Sequence, residues 1–340
     1  MKSYLQEFTV HAYKGIHNLT LESLNAINIL TGDNNSGKTS VLELLSTIGN
    51  PQDTDAWIRC ARIDGLRIRD RLYFNGFYNM FPIDDERKEI AYSLIDGDGK
   101  SDEVMLVAEL EETQVSEKEM YRLNGLSRMR SVKQEDEVVD TVCMHLYTYL
   151  NQNKAHEDVI YDFQNILPRN LNKRKPYVKT VYVSPVDHAK SSLNLNGILS
   201  DPELYGEMLS ILQTFDANII SINALKNESN PFQTEYMVLT RNHAKPLPLT
   251  AYGDGMKKAM LLLSAVVRAK DGILLLDEFE TAIHTSAMDS VFSWLLKSVI
   301  KLNVQVFLTS HSKEAIEKVL QCDDELKPYI NLYTLYNFEE

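Results

Sequence analysis

The segment Gly32-Asp33-Asn34-Asn35-Ser36-Gly37-Lys38-Thr39 constrains the fold of this chain more than any other. It reads G-x-x-x-x-G-K-T, a loop whose backbone N–H groups wrap a phosphate, and such a loop needs a strand before it and a helix after it. Both are written in the flanks. Ile27-Asn28-Ile29-Leu30 is an apolar run of buried-strand length, and Val41, Leu44, Leu45 and Ile48 recur at helical spacing before Gly49. Strand, loop and helix together aim amide donors and a helix N-terminus at one anion. Gly32, Asn34, Asn35, Ser36, Gly37, Lys38, Thr39 and Ser40 are the residues expected to line the phosphates. Lys38 adds a point charge, and the Thr39 hydroxyl is an oxygen ligand for Mg²⁺.

Holding phosphates is not hydrolysing them; that needs a metal ligand, a group that positions water and a means of stabilising charge. Ile273-Leu274-Leu275-Leu276-Asp277-Glu278 is an apolar strand ending in two carboxylates. It places Asp277 at the C-terminal edge of a parallel sheet, where a phosphate loop also sits. Asp277 would serve Mg²⁺, and Glu278 would polarise a water. Thr309-Ser310-His311-Ser312 follows the apolar run Val304–Leu308, so His311 leaves the same edge and could touch a γ-phosphate. Tyr252-Gly253-Asp254-Gly255-Met256-Lys257-Lys258 opens a helix about 20 residues before Asp277, and glycines at a helix start form a second anion site.

On these residues the chain resembles the ABC-type ATPases of the RecF/SMC/OLD branch, and more closely the stand-alone bacterial AAA family ATPases. Gly32–Thr39 resembles Walker A, Tyr252–Lys258 the signature, Ile273–Glu278 Walker B and Thr309–Ser312 the switch histidine. Glu278-Phe279-Glu280-Thr281-Ala282-Ile283-His284 is similar to the D-loop, with Thr281-Ala282 where the pattern has Asn-Gly. The signature has Gly253-Asp254-Gly255 where transporters have Ser-Gly-Gly. The resemblance implies ATP and Mg²⁺ as cofactors, with Glu278, His311 and Lys38 catalytic and Thr39 and Asp277 at the metal. It also implies a second copy of the chain as partner: Gly253, Asp254 and Gly255 of one copy face the γ-phosphate held by the other, head to tail. Tyr13, 25 residues before Lys38, lies near where many relatives have an adenine-contacting aromatic, and an ordinary strand residue reads equally well there.

The expected fold is α/β: an ABC-type P-loop domain with a mixed central sheet, an antiparallel β lobe and a largely helical insertion. Residues 1–50 and 219–340 would form the ATPase core and 51–218 the inserted lobe. Within the insertion, Asp96-Gly97-Asp98-Gly99 marks a hairpin, 112–135 reads as loop or exposed helix, and 136–165 as mostly helical. Asp201-Pro202 starts a helix, and Ser286 is the expected cap of another.

Between Lys38 and Asp277 lie 239 residues of sequence separation without heptads or CxxC, which excludes a long coiled coil or zinc hook there. Only 29 residues follow His311, too few for a Toprim nuclease. Cys60, Cys143 and Cys322 are far apart, no apolar run reaches membrane-span length, and a cytoplasmic protein without membrane contact is expected. The net charge of −13 disfavours nucleic acid over the whole surface. Two basic clusters, Arg59–Arg71 and Arg169–Lys179, leave DNA possible as a partner, or are solvated and intramolecularly paired. Three functions follow: an ATP-dimerised switch acting on a separate effector, in phage defence by resemblance; a RecF-like DNA-repair ATPase; or a nucleotide-binding scaffold with little turnover.

Overall fold

The computed structural model describes residues 3–63, 73–82, 88–124, 137–167, 176–189, 193–226 and 234–336. The chain forms two compact units. The first comprises Met1–Tyr4, Asn25–Lys38 and Lys179–Glu340; the second comprises Leu5–Leu24 and Thr39–Val178.

A five-stranded sheet organises the first unit. Its strands are β3 (Ile27–Gly32), β8 (Thr180–Val183), β12 (Ile273–Leu276), β13 (Gln305–Thr309) and β14 (Ile330–Leu335), in the order β14-β3-β13-β12-β8, all parallel. All four residues of β12 and all five of β13 are buried, as parallel strands covered on both faces require. In register, Leu30 faces Thr309 and Tyr333, and Leu276 faces Leu308 and Val183, so the strand ends lie level along one edge.

Helices α4 (Asn196–Leu199), α5 (Pro202–Phe215), α6 (Asp254–Arg268), α7 (Thr285–Lys301) and α8 (Lys313–Gln321) share one apolar core with the sheet. Asp201 caps α5 as its sequence predicts, accepting from the N–H groups of Glu203 and Leu204. The cap of α7 differs from expectation: His284, not Ser286, stands at the N-cap and its ring accepts from Ser286 N–H. An antiparallel sheet of β9 (Ile219–Lys226), β10 (Thr234–Thr240) and the two-residue β11 (Leu247–Pro248) completes this unit.

The second unit is built on a six-stranded antiparallel sheet, ordered β2-β1-β4-β5-β6-β7. These are β1 (Leu5–Tyr13), β2 (Ile16–Leu21), β4 (Lys88–Asp96), β5 (Ser101–Ser116), β6 (Val138–Leu150) and β7 (Asn153–Tyr161). Helix α1 (Lys38–Leu45) starts where the units divide, and α2 (Tyr73–Tyr78) and α3 (Glu117–Leu123) belong to the second. The β4–β5 hairpin turns where the Asp-Gly pairs predict, with Gly99 at φ +82°. Tyr92 anchors the core of this unit, its ring 5.4 Å from Phe8 and 6.3 Å from Trp57, its hydroxyl 2.8 Å from Thr47 Oγ1.

Parallel and antiparallel strands thus sort into separate sheets, and the unit boundaries differ from 50 and 219. Strand β1 pairs with β4 and carries β2 on its other edge, so both leave the first fifty residues to join the second unit. Strand β8 and helix α5 lie with the first unit because β8 pairs with β12. Where helix is expected over 136–165, the described residues from 137 on carry the hairpin β6–β7. Asn151 and Gln152 join its strands with φ of 48° and 66°, the positive pair that a two-residue hairpin turn needs. The Val, Thr and Tyr residues of β6 fit a pleated surface, and its two flanking strands settle the outcome. The stretch from 112 is strand to Ser116 and then helix α3.

Candidate nucleotide site

The loop between β3 and α1 keeps its shape through glycine and lysine. Gly32 has φ +139° and Gly37 φ +88°, and Asn35 is left-handed at φ 63°. A Cβ on Gly32 would lie 2.2 Å from the Leu335 carbonyl oxygen of β14, so backbone approach as well as torsion demands glycine there. Lys38 is buried, and its Nζ donates to Gly32 O at 2.9 Å, Asp33 O at 2.6 Å and Ser36 Oγ at 3.1 Å. The amine curls over the loop, where phosphate oxygens could replace these acceptors. Burial pulls its pKa down, opposed by Asp33, Asp277 and Glu278. The register that sets Leu30 beside Thr309 and Leu276 beside Leu308 brings the loop and the end of β12 to the same edge. Asp33, Asn34 and Asn35 are exposed, Ser36 and Ser40 are buried, and Thr39 and Ser40 continue α1 directly from Lys38.

The carboxylates are fixed from the neighbouring strand. Asp277 is buried; its Oδ1 accepts from Thr309 Oγ1 at 2.7 Å and its Oδ2 from the Tyr182 hydroxyl at 3.0 Å. Glu278 N–H donates to the same Thr309 Oγ1 at 2.8 Å. Glu278 sits at φ 42°, a left-handed conformation that costs a residue with a Cβ roughly 1–2 kcal/mol. One residue further along the switch segment, Ser310 Oγ donates to Glu280 Oε1 at 2.7 Å. Consecutive hydroxyls at the end of β13, Thr309 and Ser310, thus hold alternate carboxylates after β12. His311 follows them and is exposed.

Gly253 is the N-cap of the 15-residue helix α6. It is exposed, and a Cβ placed on it would meet no atom within 4 Å, while a Cβ on Gly255 would meet Ala282 O at 3.0 Å. Asp254 is exposed and pairs with Lys257 at 2.8 Å. Lys258, at the end of the signature segment, has a place that no motif assigns it. It is fully buried, and among the described residues its Nζ has no hydrogen-bond partner. Burial brings its pKa down to about 8 against the pull of Glu280, Asp187, Asp277 and Glu278. Glu280 Oε2 is likewise buried without a partner. A lysine one turn into a helix gives no sequence signal of this placement; only the fold turns it toward the carboxylates.

The donor set suits Mg²⁺: oxygen ligands, one of them a buried carboxylate held by two hydroxyls at a phosphate-binding edge. Tyr13 does not present a face for a base. It is completely buried in the second unit, and its hydroxyl donates to Glu43 at 2.8 Å, so it is a strand residue of the core. Of the arginine cluster, Arg62 is paired with Glu43 at 2.8 Å, which also holds Lys14 at 2.7 Å. Arg67, Arg69 and Arg71, like Arg169 to Lys175, lie outside the described residues.

Residues 150–317 match the family model "AAA domain, putative AbiEii toxin, Type IV TA system". That match takes in Asp277, Glu278 and His311 and covers just under half of the chain. The chain is similar to an "ATP/GTP phosphatase" of Helicobacter pylori, 23% identical over 346 residues, covering 92% of this chain and 86% of that one. A shorter match joins it to the uncharacterized protein MJECL11 of Methanocaldococcus jannaschii, 41% identical over 69 residues, 20% of this chain and 60% of the relative. Among solved structures it is similar to an Smc head bound to the C-terminal winged-helix domain of ScpA, with TM-score 0.46, 15% identity and coverage of 93% and 91%. RecF bound to an ATP analogue gives TM-score 0.43, 13% identity and coverage of 93% and 95%.

Proposed function

We propose that this ATPase is a switch that pairs head to tail with a second copy on ATP and acts on a separate effector, in defence against phage. The observation that carries the reading is a division within one unit. Lys38, Asp277 and Glu278 converge at the sheet edge, while Gly253 and Asp254 stand exposed at the start of α6. An exposed glycine-rich helix start is a phosphate site awaiting a second molecule. Gly32–Ser40 hold the phosphates of ATP, with Lys38 as the charge. Thr39 and Asp277 are the residues that would hold Mg²⁺, which supplies charge neutralisation on the phosphates when bound. Glu278 orients water, its backbone pinned to Thr309. His311 reports the γ-phosphate to the segment that Ser310 ties to Glu280. The toxin–antitoxin wording of the family model supports a partner encoded separately, and the defence setting is carried over from the family resemblance alone.

Glu278→Gln tests this reading. It should bind ATP as tightly as wild type, lose at least a hundredfold in phosphate release, and elute as a dimer only with ATP. Wild-type turnover in that variant removes Glu278 from its role. A monomer that binds ATP removes the dimer switch and leaves a nucleotide-binding scaffold.

A further inference from the structure

We propose that Glu111, Cys143 and His145, on one face of the antiparallel sheet of the second unit, bind a thiophilic divalent transition ion, zinc foremost. Strand register assembles the three. Glu111 of β5 lies directly opposite Cys143 of β6, and His145 is two residues on, which returns its side chain to the same face. The ligand atoms are already close: Cys143 Sγ to His145 Nε2 is 3.6 Å, His145 Nε2 to Glu111 Oε2 is 3.1 Å, and all three lie within 4.8 Å of one another. A tetrahedral zinc with Zn–S about 2.3 Å and Zn–N or Zn–O about 2.0–2.1 Å separates its sulfur and nitrogen ligands by about 3.6 Å and its nitrogen and oxygen ligands by about 3.3 Å. The two spacings made by His145 Nε2 match these to within a few tenths of an ångström, and the third pair lies within 4.8 Å.

The other ring nitrogen is the second observation. His145 Nδ1 is buried without a hydrogen-bond partner among the described residues, and lies 3.5 Å from Glu157 Oε1. A metal-bound imidazole characteristically gives its remaining N–H to a carboxylate, which fixes the tautomer and the ring plane. Glu157 stands in that place, itself steadied by Lys154 at 2.7 Å. One thiolate, one imidazole and one carboxylate favour zinc over magnesium or calcium, and two negative ligands balance a divalent charge. On binding, the Cys143 proton passes to solvent as the sulfur bonds to the ion. The Glu111 side chain is 63% exposed, so an ion can reach the cluster from water, and a water completes the fourth position. Such an ion would pin β5 to β6, far in sequence from the nucleotide motifs.

The test uses full-length protein, stripped with a chelator, without nucleotide, and titrated with Zn²⁺ alone and with Co²⁺ alone. One ion per chain and a thiolate-to-cobalt charge-transfer band are expected. Cys143→Ser should abolish the band, and His145→Ala and Glu111→Ala should each weaken binding at least tenfold. Glu157→Gln, which touches no ion, should weaken it by about 10–100-fold. Glu111→Ala at an exposed position guards against a folding defect, checked by its ion-free melting curve. Two results overturn the proposal: no ion retained at micromolar concentration, or a cobalt band that survives Cys143→Ser, which would assign it to Cys60 or Cys322.

Discussion

Gly32 and Lys258 show how single residues shape the candidate nucleotide site by opposite means. Gly32 is needed for what it lacks. Alanine there would force a methyl group into the Leu335 carbonyl and hold φ at +139°. Gly32→Ala should therefore abolish ATP binding and destabilise the protein by about 2 kcal/mol or more, read from nucleotide titration and thermal melting. Lys258 is costly for what it has, a buried amine without a hydrogen-bond partner among the described residues. Lys258→Met should stabilise the fold by about 1–3 kcal/mol while slowing turnover, since the amine faces Glu280, Asp277 and Glu278. A variant that melts lower than wild type would show instead that Lys258 is a net structural support.

At the level of elements, the hairpin β4–β5 owes its turn to one carboxylate. Asp96 accepts from the N–H groups of Asp98 and Lys100, both at 2.9 Å, and from the Tyr177 hydroxyl. The Tyr177 hydrogen bond, then the Lys100 N–H, hold this carboxyl below its usual 3.8. A depressed folded-state pKa means that the stabilisation is complete above the ordinary aspartate range and is lost as pH falls through the folded value. Asp96→Asn should cost about 1–3 kcal/mol at neutral pH, and its melting deficit should shrink below about pH 4. The same elements show what sequence can convey. The β3–loop–α1 unit and the β4–β5 turn were legible because their signals are local: an apolar run, glycines at positive φ, a helix period. The β6–β7 hairpin was not, because its turn is Asn151-Gln152, with no glycine to announce it, and its polar face is compatible with a helix. Nor were Thr309 on Asp277 and Ser310 on Glu280, which depend on the register between β12 and β13, the first pair 32 residues apart.

For the molecule as a whole, the proposed pairing says where the second half of the site would come from. Gly253 has φ −64° and open space around it, so a side chain there leaves the single chain undisturbed. Gly253→Glu should fold and bind ATP yet release little phosphate, because a carboxylate would meet the γ-phosphate of a second copy. Lys38→Ala should fail for lack of ATP. Mixing the two inactive variants should restore a measurable part of wild-type phosphate release, since one of the two sites in a mixed pair is intact. No recovery on mixing would place the glycines outside the reaction. The net charge of −13 and the pairing of Arg62 with Glu43 speak against a broad nucleic-acid surface, and no helix among the described residues is long and apolar enough to cross a membrane.

The pairing of β3 with β14 bears on how the protein is made. Gly32 and Leu335 are register partners separated by 303 residues of chain. At a synthesis rate of roughly 5–20 residues per second, β3 leaves the ribosome some 15–60 seconds before β14 exists. β13, on its other side, also arrives late. Through that interval Ile27, Ile29 and Leu30 form an apolar strand with both edges unclaimed, a hazard for pairing with other nascent chains. The loop that follows β3 meets the Leu335 carbonyl only after this wait, so its final seating is a late event for the growing polypeptide.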